Sequence, residues 1–110
     1  VRELVRTGHD VTILNRGKSP GAVPRGVRRL VADRTDLASM RAALGSEDYD
    51  VVLDVSGYRP EDVAFGLEHF RDRTGHYVFV SSTVIYAASD LLPIHEDFPV
   101  DRSPQQNQYR

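Results

Sequence analysis

Residues 77–86 read YVFVSSTVIY, and this stretch decides the fold. Its first half is a short, continuously apolar run that follows Gly75, a pattern typical of a strand buried on both faces of a parallel sheet. Its second half places Ser81, Ser82 and Thr83 at the carboxyl end of that strand, where open α/β sheets bind their ligands. The same hydroxyl groups could instead cap backbone amides where the strand ends. The pattern therefore predicts a buried strand and leaves the role of its hydroxyls open.

Three other short apolar runs are predicted to be strands, over residues 10–14, 27–32 and 50–55. The end of a helix precedes the first of them, and further helical patterns lie on either side of the third. The predicted order is helix, strand, strand, helix, strand, helix, strand. Apolar strands that alternate with amphipathic helices are typical of an α/β fold, in which helices cover a parallel sheet.

Capping signals set the limits of the helices. Thr35 or Asp36 can cap a helix that Gly45 ends, and Pro60 suits the first position of the next helix. The apolar spacing predicts a buried face for each of them. These faces comprise Leu37, Met40 and Leu44 in the first helix and Val63, Leu67 and Phe70 in the second.

Composition narrows the classes of function. A chain of 110 residues makes one domain at most, and its net charge of -2 gives no general attraction to nucleic acid or membrane. The four histidines show no metal-ligand spacing, so no metal site is expected. The absence of cysteine favours a reducing compartment, and the apolar runs are too short to cross a bilayer. We therefore expect a cytoplasmic protein without a membrane segment.

The strand ends, taken together, carry a family pattern. Its parts are Asn15-Arg16-Gly17, Ala32 to Asp36 (ADRTD), Asp50 to Gly57 (DVVLDVSG), Ser81 to Tyr86, Leu92 to Asp97 (LPIHED) and Tyr109. This pattern resembles the NAD(P)-binding domain of the short-chain dehydrogenase/reductase superfamily, above all its extended and atypical epimerase/dehydratase group. Two further segments are similar to the chloroplast stem-loop-binding proteins, relatives of the same fold that are known for binding RNA. They are Arg16 to Pro20 and Ser89-Asp90.

The resemblance implies a Rossmann-type, doubly wound parallel sheet that lacks the family's first strand and Gly-rich loop, which would precede Val1. It also implies that a lysine belongs at position 113, beyond Arg110. Residues 1–110 are then expected to form a partial NAD(P)-binding Rossmann domain without its substrate-binding part. Because the first strand lies between the second and fourth in this fold, the sheet is expected to lack its centre.

The resemblance assigns the adenosine side of the cofactor to the first two strand ends. Asp33 would accept a hydrogen bond from the adenine amino group, with the Arg34 backbone amide close by; the alternative is that Asp33 or Asp36 caps the following helix. Asn15 occupies the position where NAD-binding folds place an acid, and Arg16 and Lys18 follow it. A guanidinium suits a 2′-phosphate, so NADP is preferred over NAD. The alternative is a solvated turn.

The resemblance assigns the ends of the third and fourth predicted strands to the part of the site where the cofactor and the substrate react. Ser56 and Gly57 would allow close approach of the cofactor, although Gly57 could equally belong to a turn, and Ser81 is placed with the cofactor. Ser82, with Thr83 as second choice, would hold the substrate oxygen, and Tyr109 would be the general acid-base. For Asp54 a hydrogen-bonded structural role is the simpler account.

The function implied is hydride transfer on a sugar-like substrate, in which a Ser/Tyr/Lys site acts as in an epimerase or oxidoreductase. Dehydratases of the group carry acids where Thr83 and Val84 stand, which argues against that branch. An RNA-binding or dinucleotide-sensing protein is the alternative, and the full-length protein could form a homodimer. Six basic residues lie between positions 16 and 34, but no aromatic side chain among them could stack on a base.

Overall fold

The computed structural model describes residues 1–18, 21–90 and 92–103. The chain divides into two compact units, one up to Glu47 and one from Asp48 onward. In the described ranges, no helix has both the length and the apolar character needed to cross a membrane.

The first unit contains two helices and a pair of parallel strands. Helix α1 (Arg2–Arg6) leads to β1 (Thr12–Asn15), which is followed by β2 (Arg28–Val31) and α2 (Leu37–Leu44). In the β1–β2 pair, Thr12 lies opposite Arg28 and Asn15 lies opposite Val31. Both strands therefore end at the same edge.

Helix α2 begins and ends as the sequence predicts. The Asp36 side chain accepts a hydrogen bond from the Ser39 amide at 3.0 Å, so Asp36 is the N-cap, and Gly45 follows the last turn. Met40 and Leu44 are buried, whereas Leu37 is 41% exposed. Its predicted burial is wrong: Leu37 is the first residue of α2, and its side chain is exposed at the N-terminus of the helix.

The second unit repeats the parallel pairing. Strand β3 (Tyr49–Asp54) is followed by α3 (Pro60–His69), β4 (Thr74–Phe79) and a short 3-10 turn (Thr83–Ile85). Tyr49 lies opposite Thr74 and Asp54 opposite Phe79, so the carboxyl ends of β3 and β4 are adjacent.

The N-terminus of α3 is fixed by Asp62. Its carboxylate accepts hydrogen bonds from the Arg59 amide at 3.1 Å, the Tyr58 amide at 3.2 Å and the Arg59 guanidinium at 2.9 Å. Burial alone would raise the pKa of Asp62, but these hydrogen bonds outweigh it and hold the pKa below its usual range. The prediction that a helix starts at Pro60 is confirmed.

The buried face of α3 differs from the predicted one. It consists of Asp62, Phe65, Gly66 and His69. Of the three predicted residues, Phe70 is buried directly after the helix, Val63 is half-buried and Leu67 is 53% exposed. The reason is a close approach at Gly66, where a Cβ atom would lie 2.9 Å from Cζ of Tyr77 and closer still to its hydroxyl. The helix turns its smallest residue toward β4, which rotates Leu67 away from the strands.

Within the described ranges the strands pair in parallel, as predicted, and form two sheets of two strands each, β1–β2 and β3–β4. The prediction that the strands are buried on both faces is wrong. None of the residues of β1, β2 or β4 is buried, Phe79 at the end of β4 is 38% exposed, and in β3 only Asp54 is buried.

Val51 and Leu53 of β3 are 52% and 54% exposed. Helix α3 covers the face of the pair that carries Tyr77 and its neighbour Val52. Because side chains alternate between the two faces of a strand, Val51 and Leu53 lie on the opposite face, away from α3.

Candidate functional site

The turn that ends β1 is held by the side chain of Asn15. Its Oδ1 atom accepts hydrogen bonds from the Gly17 amide at 2.9 Å and from the Arg29 guanidinium, at 3.0 Å from Nε and 2.9 Å from Nη2. Gly17 has a φ of +73°, a conformation that favours glycine. Asn15 is therefore part of a defined turn, beside which the side chains of Arg16 and Lys18 are exposed.

The sequence placed Arg29 in the basic stretch between positions 16 and 34 but did not assign it to the cofactor site. Arg29 lies on β2 opposite Ile13, and Asn15 is two residues further along β1, so both side chains are on the same face of the pair. Only the register of the two strands brings them together. An arginine in a basic stretch gives no such signal by itself.

Asp33 follows β2 at the same edge. Its Oδ1 atom accepts hydrogen bonds from the Thr35 amide at 3.0 Å and from the Thr35 hydroxyl at 2.8 Å. These bonds, together with the nearby charges of Arg16 and Lys18, hold the pKa of Asp33 below its usual range, so the carboxylate stays ionised.

The carboxylate of Asp33 therefore orders a turn, while the cap of α2 is Asp36. The expectation that Asp36 is the cap is confirmed. Arg34 follows half-buried. In this unit the structure thus brings four of the predicted cofactor residues to one strand edge, namely Asn15, Arg16, Lys18 and Asp33.

In the second unit, Ser56 and Gly57 follow β3. A Cβ at Gly57 would lie 2.8 Å from Cε2 of Phe79 and 3.4 Å from Cγ2 of Val63. Glycine is required here by packing within the unit, since any side chain would collide with the Phe79 ring. Ser56 is exposed.

Asp54, which the sequence left unexplained, has a structural partner. It is 8% exposed, and its Oδ2 accepts a hydrogen bond from the Tyr77 hydroxyl at 2.7 Å. Its Oδ1 also accepts from the Ser56 amide at 3.3 Å. The hydrogen-bonded structural role expected for Asp54 is confirmed, because a buried carboxylate must have such partners.

The three hydroxyl residues after β4 are exposed. Ser82 precedes the 3-10 turn, and its Oγ accepts a hydrogen bond from the Val84 amide at 3.3 Å. The capping alternative therefore holds for Ser82. A serine that accepts through Oγ still has its own proton to donate, so this arrangement leaves one donor for a ligand oxygen. Ser81 and Thr83 flank it.

The chain beyond the 3-10 turn pairs with itself. The Ala87 amide donates to the Pro99 carbonyl at 2.8 Å, and the Asp101 amide donates to the Ile85 carbonyl at 2.9 Å. Tyr109 lies outside the described residues, so its proposed partnership with Ser82 stays a prediction.

Two curated proteins show similarity to this chain. It is 34% identical over 113 aligned positions to the chloroplast stem-loop binding protein of 41 kDa b from Arabidopsis thaliana. That alignment covers 91% of this chain and 30% of the relative. The chain is 29% identical over 96 aligned positions to 2′-dehydrokanamycin reductase from Streptomyces kanamyceticus, in an alignment that covers 87% of this chain and 27% of that enzyme. The chain thus spans less than a third of the length of either relative.

No family model matches the chain, and no solved structure matches it significantly. The two relatives nevertheless support, at modest identity, a relationship to the short-chain dehydrogenase/reductase family. The parallel strand pairs of the α/β structure agree with a Rossmann-like fold.

Proposed function

We propose that this chain is part of an NAD(P)-dependent oxidoreductase of the short-chain dehydrogenase/reductase type, with NADP as the preferred cofactor. The observation that carries the proposal is the edge of the β1–β2 pair. There a fixed Asn15 turn and the exposed cations Arg16 and Lys18 lie beside the ionised carboxylate of Asp33. The similarity to a reductase supports the same class of reaction.

This strand edge suits the adenosine end of NADP. Arg16 and Lys18 are exposed cations that would pair with the 2′-phosphate. Asp33 uses Oδ1 for Thr35, so its Oδ2 would accept the adenine amino group, with the backbone of Arg34 alongside. In a doubly wound sheet, β1 and β2 would correspond to strands two and three, and β3 and β4 to strands four and five.

The second unit would supply the reacting groups. A bound nicotinamide cofactor would donate or accept the hydride. Ser82 would donate its free proton to the substrate oxygen, and Tyr109 would act as general acid-base once a neighbouring lysine lowers the pKa of its phenol. Ser81 and Ser56 would line the cofactor. We propose a sugar-like substrate, and Thr83 and Val84 favour an epimerase or reductase over a dehydratase.

Cofactor titration of the full-length protein tests this proposal. The parent is expected to bind NADP more tightly than NAD, and Arg16→Ala should weaken NADP binding by roughly 1.5–3 kcal/mol, the value of a charged hydrogen bond, while NAD binding is unchanged. Arg25→Ala, which removes another exposed arginine of the same unit, is the matched control. Equal affinity for both cofactors would overturn the Arg16 assignment, and failure to bind either would overturn the proposal.

Turnover tests the catalytic assignment separately. Tyr109→Phe is expected to lower turnover by roughly 100-fold or more, the usual contribution of a positioned acid-base, with little change in cofactor affinity. Ser82→Ala should lower it too, and the double variant should lose less than the sum, because both groups act on one oxygen. Full activity of Tyr109→Phe would leave dinucleotide sensing as the function.

Binding of an RNA stem-loop is a second candidate, favoured by the 34% identity to a stem-loop binding protein. The structure reduces the basic surface available for it. Arg28 is bonded to Glu47 and Arg29 to Asn15, which leaves Arg16, Lys18 and Arg25 as exposed cations of this stretch.

The RNA hypothesis predicts an affinity that falls steeply with salt, with a slope that shrinks when Arg25 is neutralised. Absence of stem-loop binding by the full-length protein at about 50 mM salt would exclude it. A cytoplasmic homodimer is the further expectation of the enzyme hypothesis, and size-exclusion chromatography of the full-length protein tests its dimeric state.

A further inference from the structure

We propose that Arg29 sets the cofactor specificity, because it fixes Asn15 as a hydrogen-bond donor toward the 2′ position of the adenosine ribose. This inference rests on the proposed function and adds a positioning residue to it. Arg29 itself would not touch the cofactor. It would act through the orientation of the Asn15 amide.

The hydrogen bonds leave one orientation for that amide. Oδ1 of Asn15 receives bonds from Nε and Nη2 of Arg29 and from the amide of Gly17, at 2.9–3.0 Å. All three partners are donors that cannot accept. The side-chain atom between them must therefore be the carbonyl oxygen, and the reverse orientation would place N–H groups against N–H groups.

The consequence concerns the other arm of the planar amide. With Oδ1 directed at Arg29 and Gly17, the NH2 group points away from them, on an exposed side chain. It forms no hydrogen bond to another residue in the described part of the chain. The end of β1 therefore offers two donors and has no acceptor to spare, because three bonds already occupy Oδ1.

This polarity distinguishes the two cofactors. A 2′-phosphate consists of acceptor oxygens, which match the Asn15 donors and the charges of Arg16 and Lys18. Folds that select NAD instead present a carboxylate that accepts a hydrogen bond from the 2′-hydroxyl. Without Arg29 only the Gly17 amide would hold Oδ1, so the Asn15 amide would present its oxygen to the ribose part of the time and part of the discrimination would be lost.

The test compares three variants of the full-length protein in titrations with NADP, NAD, 2′,5′-ADP and 5′-AMP. Arg29→Ala is expected to lower the NADP-to-NAD affinity ratio about tenfold, and the ratio for the two adenosine fragments should fall in parallel. Arg29→Lys keeps the positive charge but cannot donate two hydrogen bonds to Oδ1 of Asn15 from a planar guanidinium. It should therefore lower both affinity ratios at least threefold. Arg28→Ala is the matched control, since Arg28 is on the same strand but bonds to Glu47 and Thr12; it should leave both ratios unchanged.

Three further variants test whether Arg29 acts through Asn15. The double variant Asn15→Ala/Arg29→Ala should lose no more preference than Asn15→Ala alone, because a positioning residue has nothing left to position. Asn15→Asp replaces the donor arm with an oxygen while keeping the Arg29 bonds, and it should invert the preference toward NAD.

The outcomes separate this inference from the proposed function. A parent that binds neither cofactor overturns both. A parent that prefers NADP, together with an Arg29→Lys variant of unchanged ratio, overturns only the positioning role, because charge alone would then suffice. If Arg29→Ala does not fold, Arg29→Lys and Asn15→Asp decide, and an Asn15→Asp variant that still prefers NADP contradicts the inference.

Discussion

The two parallel strand pairs of this protein end in different ways. At the end of β1–β2, polar side chains hold one another near the surface, as in the bonds of Arg29 to Asn15 and of Thr35 to Asp33. At the end of β3–β4, close packing and burial hold the chain, as in the contact of Gly57 with Phe79 and the bond from Tyr77 to the buried Asp54.

This difference distinguishes residues that orient groups for ligand binding from residues that stabilise the fold. Exposed hydrogen bonds contribute little to stability, but they orient groups whose remaining donors and acceptors can meet a ligand. Packed side chains such as Phe79 and Tyr77 stabilise the fold, so a change that displaces them costs free energy of unfolding. We therefore expect substitutions at the packed residues of the second pair to change stability and those of the exposed side chains at the first strand edge to change binding.

Gly66→Ala is expected to have the largest effect. A Cβ at this position would collide with the Tyr77 ring, and displacing that ring would break its hydrogen bond to the buried Asp54. We expect a loss of about 3 kcal/mol in the free energy of unfolding of the full-length protein, the upper range for overpacking. Chemical denaturation measures it. Gly21→Ala, where no atom lies within 4 Å of the added methyl, is the control, and an equal loss in both variants would contradict this account.

The secondary structure was predictable where local chemistry decides it. Asp36 caps α2 and Pro60 starts α3, because a capping carboxylate and a missing N–H act within one helical turn. Asn15, Arg16 and Asp33 lie together at a strand edge because parallel strands end at the same side.

What the sequence could not supply is contact between distant residues. The bond between Arg29 and Asn15 depends on the strand register, which a single sequence does not fix. The exposure of Leu67 depends on the approach of Tyr77 to Gly66, which turns Gly66 rather than Leu67 toward β4. In both cases an apolar or basic pattern indicated the element but not its partner.

The next largest change in the free energy of unfolding is expected at Asp62, and this change depends on pH. The pKa of Asp62 in the folded protein lies below its ordinary value of 3.8, so its contribution to stability is present above that value and is lost as pH falls through the lower folded pKa. Asp62→Asn should cost about 1 kcal/mol at neutral pH, and the difference from the parent should shrink below about pH 4. Unfolding curves between pH 7 and pH 3 measure it. Glu61→Gln, an exposed neighbour in the same turn, should show no such dependence.

The smallest change in stability compares two aspartates in one turn, Asp33 and Asp36. Asp36→Ala removes the cap of α2 and should lower the free energy of unfolding by about 1 kcal/mol or less, while NADP affinity is unchanged. Asp33→Asn should do the reverse. An asparagine can still accept from Thr35 through Oδ1, but its second arm becomes a donor that would face the adenine amino group, another donor. NADP affinity should therefore fall while the melting temperature holds. If Asp33→Asn instead lowers the melting temperature and leaves NADP affinity intact, Asp33 is a turn residue only, and the adenine assignment fails.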